Sequence, residues 1–208
     1  MHSACTGPIG RAALRRGNMT DEGLLFTDGE KAAILEAALS GVESVLHGAR
    51  ASLPVQERGL PPRLAAPRGV FVTILEAGRV RGCMGGCEPL FPLIDACRIY
   101  AEAAAHRDPR FTPLARGSHP VPSVEVAVLG GVRPLAVTDG SLLGDGKVGL
   151  VLSRGFRREV FLPRALIGAP RDVDGLLAFL GDMARIDADD PHGRVEWGVF
   201  DVVVVAGP

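Results

Sequence analysis

An α+β fold, with an antiparallel or mixed sheet and helices packed on it, is what this chain predicts, and three patterns point to it. Two segments carry apolar residues at the three-to-four spacing of a buried helix face, Ile34 to Leu46 and Leu93 to Ala104. Short β-branched runs lie between the helical segments and are joined by tight glycine turns. Local hairpins of this kind favour antiparallel pairing over the long crossovers of a parallel sheet.

The elements follow in order. Residues 1–20 mix Gly, Arg and Ser without apolar periodicity and read as an arm outside the fold, with Met19 an alternative start. Thr27-Asp28-Gly29-Glu30 is a capping box, in which hydroxyl and carboxylate satisfy two orphan N–H groups. The helix after it buries Ile34, Leu35, Ala38, Leu39, Val42, Val45 and Leu46, and Gly48 stops it. From Arg50 to Arg68 the prolines Pro54, Pro61, Pro62 and Pro67 remove amide donors, so a loop is expected. Val70 to Leu75 is β-rich, and Glu76-Ala77-Gly78-Arg79 turns it back through Val80 to Cys83. Pro89 or Pro92 opens the next helix, with Leu93, Ile94, Cys97, Ala101 and Ala104 inward, and Asp108-Pro109 ends it. Ser123 to Leu129 alternates as a strand. Gly149 to Ser153 and Glu159 to Leu162 read as a second hairpin around Arg154-Gly155-Phe156, Val173 to Met183 as an amphipathic helix, and Val195 to Val205 as a closing strand buried on both faces from Phe200 onward. Phe71 and Val126 are expected to be buried in one sheet, and Arg154 exposed.

Composition narrows the function. The chain has 208 residues, 47% of them hydrophobic, enough for one domain or two packed lobes. Lys+Arg 23 against Asp+Glu 24 leaves a formal charge of -1, so nothing in the total advertises nucleic-acid binding. No apolar run reaches the length of a membrane span, and no secretion signal opens the chain, so a cytoplasmic protein is expected. Four cysteines, Cys5, Cys83, Cys87 and Cys97, are too few for a disulfide scaffold.

The pointed chemistry lies in Arg81-Gly82-Cys83-Met84-Gly85-Gly86-Cys87-Glu88. It reads as a strand entering a glycine-rich loop and then a helix. In a regular strand Arg81 and Cys83 share a face. That guanidinium and the helix N-terminus would together hold the thiol below its free value of about 8.5. Gly82, Gly85 and Gly86 would let backbone approach a small-molecule or acyl ligand. Cys83 is thus a candidate nucleophile, and the competing reading is a small residue packed at a tight corner. His106, His119 and Glu88 are the available bases, with His106 preferred for its place near a helix end. Arg110 either binds an anion or pairs with Asp108 or Glu88. Cys83 and Cys87 would be half a zinc site only with further ligands, and no metal is expected. Cys97 reads as core. Arg154, Arg157 and Arg158 around Phe156 form a basic turn, either solvated or touching RNA. Gly-x-Gly-x-x-Gly, Walker, His-Glu-x-x-His and Gly-x-Ser-x-Gly motifs are absent, and no cofactor is expected.

Arg81-Gly82-Cys83-Met84-Gly85 after the Gly69-Val70-Phe71-Val72-Thr73 strand resembles the signature of the AMMECR domain family. Asp108-Pro109-Arg110-Phe111-Thr112-Pro113-Leu114, Val124 to Leu129 and Val160-Phe161-Leu162-Pro163 are similar to that family in the same order. The resemblance covers the chain after Met19. It implies a larger lobe with both termini and an antiparallel sheet, about 21–129 and 195–208, and a smaller strand-rich lobe, about 130–194. The Arg81 to Glu88 stretch would line a cleft between them. It also implies partnership with a Memo-like protein and a radical-SAM enzyme, in a modification system of unestablished activity. Against that reading stands a non-catalytic adaptor or substrate-binding module, and a third reading is an RNA-associated protein. Two features depart from the family pattern: the extra Cys87, and a short Arg185 to Asp190 segment.

Overall fold

A computed structural model describes residues 3–4, 24–48, 59–116, 123–135, 147–154, 157–170, 172–184 and 196–207. The expectations for Arg50 to Arg58, His119, the Gly155-Phe156 turn, Cys5 and Arg185 to Asp190 lie outside these residues. The chain forms two compact units, one built on Gly130–Val202, the other on Glu22–Leu129 with Val203–Pro208. The fold is α+β, and the strand pairs described below are antiparallel.

The second unit holds helix α1 (Asp28–His47), the single turn α2 (Pro62–Ala65), strands β2 (Gly69–Glu76), β3 (Arg79–Gly86) and β4 (Ser123–Leu129), and helix α3 (Leu93–His106). Both arms of the capping box are formed: Thr27 Oγ1 accepts the Glu30 N–H at 3.2 Å, and Glu30 Oε2 accepts the Thr27 N–H at 2.8 Å. Gly48 closes α1 at φ 68°, a conformation that only glycine adopts without penalty. Thr27→Ala should therefore lower stability by about 1 kcal/mol in a urea titration. An unchanged midpoint would mean that the cap carries no weight in the folded chain. The proline-rich stretch expected as loop contains α2, since Pro62 takes the first helical position where its missing N–H costs nothing.

Strand β2 lies between β3 and β4, with Val70 opposite Val128, Val72 opposite Val126 and Ile74 opposite Val124. Those six side chains form one core with Ile34, Ala38 and Val42 of α1 and Leu93, Cys97 and Ala101 of α3. Phe71 and Val126 are both fully buried, and Cys97 is core. Burial pushes the Cys97 thiol far above the ordinary cysteine range, which leaves it inert. The β2–β3 turn places Ala77 at φ 49° and Gly78 at φ 75°, the left-handed pair that the twist of a two-residue hairpin requires.

The other unit is built on β6 (Val148–Arg154) between β7 (Arg157–Phe161) and β8 (Glu196–Ala206), with the two-residue β5 (Arg133–Pro134) on β8. Helix α4 (Val173–Ala184) sends Leu176 and Leu180 into a core with Leu150, Leu152, Phe161 and Val199. Three expectations are corrected here. Ser3–Ala4, read as part of an arm, form strand β1 against Val160 and Glu159 of β7. Arg154, expected in solvent, is only 8% exposed. It shares the strand face of Leu150 and Leu152, and the period of two carries it onto the covered side. The end of β8 is not buried on both faces: Val202 and Val205 are covered, but Val204 is 51% exposed.

Candidate functional site

Cys83 does not stand at a strand-to-helix corner. Strand β3 runs on through Gly86, and α3 begins only at Leu93, with Pro92 as its N-cap and no side-chain cap. Cys83 lies inside a strand that ends the strand order among the described residues. It sits opposite Thr73, whose hydroxyl donates to Sγ at 3.3 Å. The expected dipole stabilisation of a thiolate therefore has no helix to supply it.

Arg81 is the second correction. Gly82 pairs with Ile74 but Val80 with Leu75, so Arg81 is the extra residue of a β-bulge. The bulge breaks the alternation on which a shared face with Cys83 depended. The Arg81 side chain turns instead to Glu76, Nε to Oε2 at 3.0 Å, and to the Thr112 carbonyl at 3.4 Å.

The guanidinium at Cys83 is that of Arg110. Asp108, its side chain 1% exposed, receives Arg110 Nε at 2.8 Å and Nη2 at 2.7 Å in a two-pronged fork. The same carboxylate accepts the Cys83 N–H at 2.8 Å, while Arg110 Nη2 donates to the Cys83 carbonyl at 2.9 Å. Both peptide groups of one edge residue are thus held by a pair of side chains. Burial acts to raise the Asp108 pKa, but the Arg110 fork and the N–H groups of Cys83 and Arg110 outweigh it and hold the carboxyl below its usual range. Burial is also the largest influence on the Cys83 thiol. It prevails over the Thr73 hydroxyl and the Arg110 charge and raises the pKa above the ordinary value. This reverses the expected sign. The group that lowers the pKa of a reactive thiol is present here, but the sulfur is too poorly solvated for it to win.

The glycines serve packing within the protein. A Cβ on Gly82 would lie 2.0 Å from the carbonyl oxygen of Ala104, and one on Gly85 2.5 Å from the Phe71 Cα. A Cβ on Gly86 would lie 3.0 Å from the Tyr100 hydroxyl. They let β3 approach α3 and β2, so the space expected for a ligand is taken by the chain itself. Glu88 is half-buried in the turn after β3. His106 Nδ1 lies 2.7 Å from the Glu102 carbonyl, and Nε2 accepts Arg107 Nε at 3.0 Å. Both ring nitrogens are engaged on its own helix end, which leaves neither for the thiol. Neither Cys83 nor Cys87 is in a disulfide, and among the described residues no three His, Cys, Asp or Glu side chains gather to hold a metal. Sequence reasoning named Asp108 as a partner for Arg110, and that pair is formed; it passed over the bond from the Cys83 N–H to Asp108, and over Thr73. The Asp-x-Arg spacing was the signal for Asp108, while Thr73 becomes visible only once the β2–β3 register is known.

These features define a class: a two-unit α+β protein whose larger unit carries an Arg-Gly-Cys-x-Gly edge strand clasped by an Asp-Pro-Arg segment. The AMMECR1 family model matches residues 35–205, and the chain belongs to that family. It is 35% identical over 169 residues to a protein of Methanothermobacter thermautotrophicus, covering 78% of this chain and 87% of that one. A Methanosarcina barkeri protein is 35% identical over 162 residues, with coverage of 76% and 78%. Among solved structures, the uncharacterized protein PH0010 from Pyrococcus horikoshii is similar with a TM-score of 0.69 and 25% identity, covering 82% of this chain and 88% of that one. No described helix is long and apolar enough to cross a membrane.

Proposed function

We propose that this AMMECR1-family chain is a non-catalytic binding or adaptor module in which Cys83 is a structural residue. The observation that carries this reading is the use made of the charged groups at Cys83: Asp108 and Arg110 grip its backbone N–H and carbonyl, and among the described residues the hydrogen bond to its sulfur comes from the Thr73 hydroxyl and not from His106 or Glu88. A nucleophilic cysteine needs the opposite arrangement, a depressed pKa and a base within hydrogen-bond reach. The partners such a module would engage are those the family resemblance implies, a Memo-like protein and a radical-SAM enzyme. The RNA reading loses support, since Arg154 of its basic turn is buried.

A second reading keeps Cys83 as a reacting thiol toward a small or acyl group, within the same modification system. What favours it is the Arg110 charge acting on the sulfur and the partial exposure of the residue. A brief iodoacetamide pulse across pH, read at each cysteine by mass spectrometry, separates the two. Native Cys83 is expected to label at neutral pH no faster than it does in urea, with its rate rising only above the ordinary thiol range. Fast labelling near pH 7 that Arg110→Gln slows would overturn the adaptor reading.

A further inference from the structure

Beyond α3, residues Asp108 to Pro113 form a loop whose two ends are pinned side by side. The Arg107 N–H donates to the Ala103 carbonyl at 2.7 Å, and the Leu114 N–H to the Ala105 carbonyl at 2.8 Å, with Leu114 itself in the core. A surface loop closed in this way can lift without moving the elements that flank it. The contacts between the loop and β3 are polar. Asp108 accepts the Cys83 N–H, Arg110 donates to the Cys83 carbonyl, and the Thr112 carbonyl receives Arg81. Among the loop's apolar side chains, Phe111 is half-buried and Pro109 and Pro113 are exposed. The Asp108–Arg110 fork joins two residues of the loop itself, so it travels with the loop and lifting strands neither charge. The two prolines and the bond from the Phe111 N–H to the Asp108 carbonyl, 3.2 Å, stiffen the segment into one piece. Segments with few buried apolar contacts stand at the low-stability end of a fold.

We propose that Asp108 to Pro113 is a hinged lid over Cys83, which opens as a unit while α3 and the sheet stay folded and thereby admits solvent and reagents to the Cys83 thiol and peptide groups. The Cys83 N–H is bonded to the lid, so its exchange with solvent reads the opening directly. The Arg110 charge acts on the sulfur from the same lid. Arg81 is the latch: the bulge that takes it off the face of Cys83 leaves it bonded to Thr112, at the far end of the lid. The lid goes beyond either reading of Cys83, since it governs access to the residue whether the thiol packs or reacts.

The first test is amide exchange on the unmodified full chain, followed residue by residue by NMR across low urea. Relative to its unfolded rate, the Cys83 amide should exchange about tenfold faster or more than the Phe71 and Val72 amides of the middle strand β2. Its rate should also depend less on urea, because opening a lid exposes little surface. Iodoacetamide labelling of Cys83, compared with the unfolded chain at the same pH, should be slowed by about the same factor as the amide. Arg81→Ala removes the latch without touching Cys83 and should raise both rates together by about threefold, the weight of one exposed hydrogen bond, with the β2 amides unchanged. If that variant loses its circular dichroism, Arg81→Met, which keeps the stem and drops the donor, takes its place. Exchange of the Cys83 amide only in step with β2 overturns the proposal, since the loop would then open only on global unfolding. Labelling that does not follow the amide overturns it too, as does a folded variant in which neither rate rises. Failure of both variants to fold also overturns it, because Arg81 would then be an anchor of the hairpin and not a latch.

Discussion

Asp108→Ala alone should lower stability at neutral pH by about 2–3 kcal/mol, read as a shift in the urea midpoint. The carboxylate is buried, and its removal strips the Cys83 N–H of its acceptor and Arg110 of its fork. Breaking a fully buried ion pair costs about 3–5 kcal/mol, but Arg110 is 32% exposed and recovers water, so the lower figure is used. The pH dependence has a definite sign. A carboxyl whose folded pKa is depressed contributes stability above the unfolded value of about 3.9, and that contribution fades as pH falls through the lower folded value. The difference between native and variant midpoints should therefore be full at pH 7 and shrink below about pH 4. A gap that is the same at pH 7 and pH 3 would show that the charge of Asp108 contributes nothing.

Gly82→Ala should be as damaging by another route, with a loss of about 3 kcal/mol, at the upper end of the range for overpacking. The added methyl would meet the Ala104 oxygen at 2.0 Å and its carbonyl carbon at 2.9 Å. Neither neighbour is a flexible side-chain tip. Strand β3 is tied to β2, and Ala104 belongs to the backbone of α3, so one element must move and the core between them opens. Gly29→Ala is the control: nothing lies within 4 Å of its Cβ position in the first turn of α1, and the helix gains a better former. Equal thermal midpoints for the two variants would mean that β3 and α3 are less closely packed than the structure has them.

Much of the frame was legible because it rests on near neighbours in the chain. The capping box spans Thr27 to Glu30, the β2–β3 turn is set by two residues, and the stripes of α1 and α3 recur every three or four positions. Such signals act over less than two turns of helix or one hairpin, and tertiary contacts reinforced them. The two short strands β1 and β5 went unseen because two residues carry no period, and α2 was hidden by its own prolines.

The site was legible as a list of residues and mistaken as an arrangement. Arg81, Cys83, Arg110 and the glycines were found by type, yet one inserted residue at Arg81 undid the facing argument. A bulge shifts a strand by one position and leaves no mark on composition. The helix thought to begin beside Cys83 begins at Leu93, since glycine marks a loop as readily as a close approach of strands.

What the sequence determined by itself is the α+β class, the hairpins, the helix faces and the membership signalled by Arg81 to Gly85 and Asp108 to Leu114. What only the tertiary structure decided is the chemistry at Cys83. The sulfur's solvation depends on how closely β3 packs, and the capture of its peptide groups by Asp108 and Arg110 depends on where the chain returns after α3. Both are properties of residues far apart in the chain, set by packing free energies that no local pattern encodes.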